Sequence, residues 1–113
     1  MKFSNRTFKL WEYRVSHDQL LLRSPKTEEM PTNIDIAFVG VKYLDLPTQL
    51  ANLELVATED ADLARAKEAL ATIERESEVF VIQAATRRHI VVAVAMHTFE
   101  NSLDIFESSL EKF

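Results

Sequence analysis

Residues 7–15 (Thr-Phe-Lys-Leu-Trp-Glu-Tyr-Arg-Val) alternate with the period of a strand, with Phe8 and Leu10 on one face and Trp11, Tyr13 and Val15 on the other. A short polar stretch, Ser16-His17-Asp18-Gln19, precedes Leu20-Leu21-Leu22-Arg23, so the pattern predicts a β-hairpin turning at His17-Asp18. Residues 24–33 hold two prolines, three charges and one apolar side chain, which is the composition of a loop. A further strand follows, with Ile34, Ile36 and Phe38 on one face, until Gly40 interrupts it. Beyond Gly40 the apolar phase slips to Val41 and Tyr43, and one inserted residue at a β-bulge is the simplest way to restore the buried face.

After a turn at Leu46-Pro47-Thr48-Gln49, Asn52 suits a left-handed position and residues 53–57 read as a short strand. Thr58 then stands where a helix cap belongs, and Glu59, Asp60 and Asp62 supply the charge that the helix dipole favours in a first turn. Leu63, Ala66, Leu70 and Ile73 recur at helical spacing, with Arg65, Glu68, Thr72 and Arg75 opposite, which predicts one long amphipathic helix over 59–76.

Two β-branched runs, 79–85 and 90–96, joined by Thr86-Arg87-Arg88-His89, read as a second hairpin of strands covered on both faces. In the second run Ile90, Val92, Val94 and Met96 form a bulky face and Val91, Ala93 and Ala95 a smaller one, on which a helix can lie closely. At the C-terminus Leu103, Phe106, Leu110 and Phe113 fit a helical stripe, whereas Leu103 and Ile105 about Asp104 fit a strand. The expected fold is α+β, a single domain over 1–113. It has a mainly antiparallel sheet of about six strands, one helix packed on it, and a short C-terminal helix or strand.

Charge divides unevenly along this pattern. Residues 1–57 carry seven acids and seven bases, and residues 58–113 carry eleven acids and six bases, so the second half holds the whole net charge of −5. That balance argues against an electrostatic grip on nucleic acid or an anionic membrane, both of which reward clustered Lys and Arg. It suits a basic protein partner, for which Glu59, Asp60, Asp62, Glu74, Glu76 and Glu78 are the candidate acidic face. Arg87 and Arg88, beside His89 at the expected hairpin tip, are the candidate anion contact.

Candidate chemistry is sparse. The chain has no cysteine, which removes disulfides, thiolate metal sites and cysteine nucleophiles. Its single glycine leaves no place for a phosphate-binding loop, a dinucleotide fingerprint or a Gly-x-Ser-x-Gly elbow. His89 and His97, on one regular strand, would stand about 26 Å apart and share no metal. No cofactor, metal or catalytic residue is therefore expected. The N-terminus lacks the apolar stretch of a secretory signal, and a cytoplasmic location is expected.

The sequence thus points to a small acidic protein-binding module of the antitoxin or immunity kind, with a protein partner or another copy of itself. The alternative is a self-associating small-molecule binder with a pocket between sheet and helix, closed by the loop at 24–33.

Overall fold

Leu20 and Leu22 point to one side of their strand and Leu21 and Arg23 to the other, yet all four are buried. A strand covered on both faces needs two layers around it, and those layers organise the molecule. The computed structural model describes residues 1–113. It contains β1 (Thr7–Arg14), β2 (Gln19–Ser24), β3 (Asn33–Val39), β4 (Tyr43–Asp45), β5 (Gln49–Ala51), β6 (Glu54–Val56), α1 (Asp60–Leu70), β7 (Glu78–Ala84), β8 (Arg87–Ala93), β9 (Ala95–Asn101) and a 3₁₀ turn at Ser109–Lys112. The fold is α+β with antiparallel pairing throughout. Nine strands replace the expected six, in a sheet of order β5-β1-β2-β3-β9 facing a sheet of order β4-β8-β7-β6.

The core between the sheets takes Phe8, Leu20, Leu22, Ile36, Phe38 and Leu50 from the first and Ile82, Ala84, Val91 and Ala93 from the second. Both hairpins form, though the second turns at Ala85 (φ 55°) and Thr86, so Arg87, Arg88 and His89 lie in β8 and not at a tip. The extra strands arise because long apolar runs are broken at corners. The chain leaves β3 at Gly40, with φ 67°, and joins the second sheet as β4; beside it, β8 leaves the second sheet at Val94 and becomes β9 of the first. The Val94 amide donates to the Val39 carbonyl at 2.9 Å and the Lys42 amide to the Val92 carbonyl at 2.8 Å.

Gly40 is a corner between sheets, and the inserted residue expected there is present: Val39 pairs with Ala95 and Tyr43 with Val92, so residues 40–42 stand opposite 93–94 and the bulge lets the strand change sheets. A second corner pairs Asn5 (φ 63°) with Asn52 (φ 52°), where the Asn5 amide donates to Asn52 Oδ1 at 2.7 Å. Residues 1–3 thereby reach β6 and pair with it. Another bulge, not expected from the sequence, falls at Trp11, where the β1–β2 register shifts between Leu10 and Glu12. Trp11 and Tyr13 accordingly end on opposite faces: Tyr13 stands opposite Leu20, while Trp11 packs against Leu21 on the far side of the sheet.

The helix is shorter than expected, 60–70 in place of 59–76. It starts at Glu59, whose amide donates to Asp62 Oδ2 at 2.9 Å, because the Thr58 hydroxyl is engaged by the Val79 carbonyl at 2.6 Å. It stops where Ala71 turns to φ 63° and returns its amide to the Lys67 carbonyl at 2.7 Å. The β-branched Thr72 and Ile73 that follow are weak continuers. The helix covers the bulky face of β8, with Ala66 against Val79, Val81, Ile90 and Val92. The smaller face turns inward, where the rings of Phe38 and Phe80, 5.7 Å apart, need the room that Val91 and Ala93 leave. Ala66, lacking bulk itself, lets the helix approach the large side chains.

Candidate interaction site

Arg23 and Asp35 are cross-strand neighbours on the outer face of the first sheet. Arg23 Nε donates to Asp35 Oδ1 at 2.7 Å and its NH2 nitrogen to Oδ2 at 2.9 Å, with the two residues 1% and 0% exposed. Asn101 Nδ2 adds a third donor to Asp35 Oδ2 at 3.0 Å. Burial pushes the Asp35 carboxyl up, but the Arg23 and Asn101 hydrogen bonds and the Arg23 charge outweigh it and hold the group below its ordinary value. Above the pair lies the C-terminal segment. The remaining guanidinium nitrogen of Arg23 donates to the Glu107 carbonyl at 2.9 Å and the Asp104 carbonyl at 3.4 Å, with the Trp11 ring 5.3 Å away. Leu110 fills the space between Leu21 and Ala37, and Arg14 reaches Glu111 at 2.7 Å.

The segment is neither helix nor strand until its last turn, and this follows from what it must satisfy. Its carbonyls are drawn down by Arg23 and by Asn33, whose Nδ2 donates to the Leu103 carbonyl at 2.9 Å. A helix would have consumed those acceptors within itself. Fixed in this way, residues 104–107 form a closed turn. The Asp104 amide donates to Glu107 Oε1 at 2.8 Å, the Phe106 amide to Asp104 Oδ1 at 3.0 Å, and the Glu107 amide to the Asp104 carbonyl at 3.0 Å. The turn holds Ile105 and Phe106 outward, 61% and 94% exposed. Beside them runs a groove of about 690 Å³ between the segment and β1, lined by Trp11, Arg14, Leu103, Phe106, Glu111 and Lys112.

The residues singled out in the sequence are distributed differently. Glu59 and Asp60 are exposed at the start of α1, and Glu74, Glu76 and Glu78 are exposed beyond its end. An eleven-residue helix, about 16 Å long, separates the two groups, so they form two patches and not one face. Asp62 is 2% exposed and bound to Arg88, whose NH2 nitrogen lies 2.7 Å from Oδ2 and whose Nε lies 3.2 Å from Oδ1. Hydrogen bonding from Arg88 holds the Asp62 carboxyl below its ordinary value. One member of the acidic set is thus neutralised by one member of the basic pair. Arg88 also donates to the Ala57 carbonyl at 2.9 Å, which leaves only Arg87 exposed.

In the sequence Ile105 enters only through the strand alternative, and Phe106 falls on a helical stripe and, with Phe113, on a surface that a second copy would cover. The available signal is local: the apolar pair Ile105-Phe106 is flanked by an acid on each side in Asp104-Ile105-Phe106-Glu107. The two histidines considered for metal lie in different sheets, His89 in β8 and His97 in β9.

Fold and surface together define an α+β protein of two packed antiparallel sheets with an apolar tip on its C-terminal turn. No protein-family model, curated protein or solved structure matches the chain. No helix in it is long and apolar enough to cross a membrane.

Proposed function

We propose that the chain is a protein-binding module that acts by association and not by catalysis, in the manner of antitoxin and immunity proteins. Its contact surface is centred on Phe106 and Ile105, and its partner is a basic protein with an apolar pocket. The observation that supports this reading is the combination of 94% exposure at Phe106 with a turn fixed by three hydrogen bonds and anchored on Arg23. An aromatic side chain held ready in water binds without the ordering cost that a flexible one incurs, and aromatic anchors of this kind dominate protein interfaces. Asp104 and Glu107 flank the tip with negative charge, while Glu111 is paired with Arg14. The exposed acids Glu59, Asp60, Glu74, Glu76 and Glu78 lie at the ends of α1 on the far side of the molecule and contribute to its net negative charge.

The test compares wild type and Phe106→Ala as immobilised baits in lysate of the encoding organism, at low and high salt. Phe106→Ala leaves stability within about 0.5 kcal/mol, because the side chain is exposed. The expected result is a basic protein retained by wild type, weakened by salt, and lost from the variant by a factor of about 30. Equal retention on both baits, or no retained protein, overturns the reading.

A second reading has one observation in its favour. The groove beside Phe106 falls in the volume range of small-molecule sites, with apolar walls from Trp11, Leu103 and Phe106 and with Arg14 held between Glu12 and Glu111. Between sheet and helix Ala66, Val79, Val81, Ile90 and Val92 fill the centre, and the cavity left at the edge of that layer, lined by Tyr43, Arg65, Glu68, Ala69 and Ile90, is about 300 Å³, smaller than the groove. A metabolite panel that raises the melting temperature of wild type but not of Arg14→Ala would favour this second reading.

A further inference from the structure

The outermost strand of the first sheet, β9, is paired with β3 along its whole length, in an unbroken register from Asn33↔Asn101 to Val39↔Ala95. Its other edge has no partner. The remaining edges of the two sheets are protected: β4 and β5 are three residues long, and β6 is paired by residues 1–3. β9 is seven residues long, with no proline, lysine or arginine in Ala-Met-His-Thr-Phe-Glu-Asn and no bulge; its one charged side chain, Glu100, stands near one end and accepts from the Thr32 hydroxyl. A long, regular, open edge is a template for another strand.

We infer that this edge pairs with β9 of a second copy of the chain, antiparallel about a two-fold axis at Thr98. Three features of the strand select that occupant and that register. A two-fold axis normal to the sheet brings like faces together only when the paired residue numbers sum to an even value, and centring on Thr98 is the one such register that pairs all seven residues. In it Thr98 faces Thr98 of the second copy, a favourable cross-strand pair for a β-branched hydroxyl residue.

The only carboxylate of the strand, Glu100, then faces Met96 of the second copy and not another Glu100, so no like charges meet. On the outer face His97 stands opposite the second copy's Phe99. His97, Phe99 and Phe113 already form a half-exposed cluster, with ring centroids 6.3 Å apart for His97–Phe99 and 5.0 Å for His97–Phe113. The two-fold axis joins two such clusters into one. About six backbone hydrogen bonds form across the new pair. A single strand pair is a small contact, at the end of the range where weak and transient association is found, so the dissociation constant is expected in the micromolar range.

The pairing involves no atom of Phe106, so it stands or falls apart from the binding function proposed above. Sedimentation velocity and light scattering on the full chain, from about 1 to 200 µM around that constant, test it. The expected result is a shift from the 13.0 kDa monomer to twice that mass. Thr98→Lys sets two ammonium groups against each other at the axis and weakens the dimer at least tenfold, while Thr98→Val keeps it; circular dichroism checks that both fold.

Because the chain has no cysteine, Thr98→Cys provides an unambiguous reporter under oxidising conditions, where it forms a disulfide-linked dimer. Glu68→Cys, on the exposed face of α1, serves as the control that stays monomeric. A monomer at every concentration, a dimer indifferent to Thr98→Lys, or crosslinking no faster at position 98 than at 68 overturns the inference. The first of these outcomes would leave the edge to a strand from a different protein.

Discussion

Replacing Asp35 with Asn keeps the shape of the side chain and removes its charge, leaving the Arg23 guanidinium buried beneath the C-terminal segment without a counter-charge. Both residues are essentially inaccessible, at 1% and 0%, so water cannot take over the missing interaction. Breaking one side of such a pair costs about 3–5 kcal/mol. For a chain of this length each kcal/mol corresponds to roughly 4 °C in melting temperature, so Asp35→Asn should melt about 12–20 °C below wild type. The cost is that of an orphaned charge and not of the pair as a whole. Removing both charges at once, as in Arg23→Met with Asp35→Leu, should recover the part due to the orphaned charge, while the Asp104 and Glu107 carbonyls and the Asn101 amide, left without Arg23 and Asp35, keep the double variant below wild type. Urea denaturation of the two single variants and the double variant measures the coupling directly.

The pH dependence gives a second handle on the same pair. Asp35 is held below its ordinary value near 3.8, so its contribution is present above that value and is lost as pH falls through the lower native one. Wild type should lose stability in acid more steeply than Asp35→Asn. An Asp35→Asn variant within 1 kcal/mol of wild type, or a double variant as unstable as the sum of the singles, would refute the reasoning.

Gly40→Ala places a side chain at φ 67° with its Cβ 2.6 Å from Val94 Cγ2, and should cost more than the roughly 1–2 kcal/mol of left-handed strain alone; adding Val94→Ala should return only the steric part, as read by urea midpoints. Arg88→Ala leaves the buried Asp62 carboxylate without its guanidinium and should lower the melting temperature near neutral pH. Because Arg88 holds the Asp62 carboxyl down, the gap between that variant and wild type should close as pH falls below the ordinary carboxylate range, which thermal melts from pH 7 to pH 2 will follow. Leu110→Ala opens a cavity against Leu21 and Ala37 and should cost about 2–4 kcal/mol, with faster amide exchange across residues 102–113 than across β7 and β8.

How much of this was legible in the sequence depends on whether the determinant was local. The turn at His17-Asp18, the strand at residues 34–38 and the helix about Ala66 rest on alternation, periodicity and caps, and all three are where the pattern places them. The strand count failed at Val94 because a corner consumes no polar residue: 90–96 reads as one apolar run, and only its pairing with Gly40 in another element breaks it. Trp11 failed for a similar reason. A bulge inserts a residue without changing composition, and the slip shows only in the register against β2. The choice of face for α1 was missed because the size of Val91 and Ala93 is explained by Phe38 and Phe80, not by the helix.

The site was less legible than the fold, and Arg23 shows why. In Leu20-Leu21-Leu22-Arg23 the arginine reads as the polar end of a strand, since a lone cation after an apolar run is ordinarily solvated. Nothing local says that its counter-ion is twelve residues away and its remaining donors more than eighty, on the carbonyls of Asp104 and Glu107. Yet that one side chain decides the conformation of the C-terminal segment, because it removes the acceptors a helix would need. The apparent helical stripe of Leu103, Phe106, Leu110 and Phe113 is thereby divided: Leu110 is buried under the segment, and Phe106 is turned out to solvent. The residue proposed to meet a partner is exposed because a buried charge elsewhere holds its backbone, so stability at Arg23 and binding at Phe106 are two readings of one arrangement.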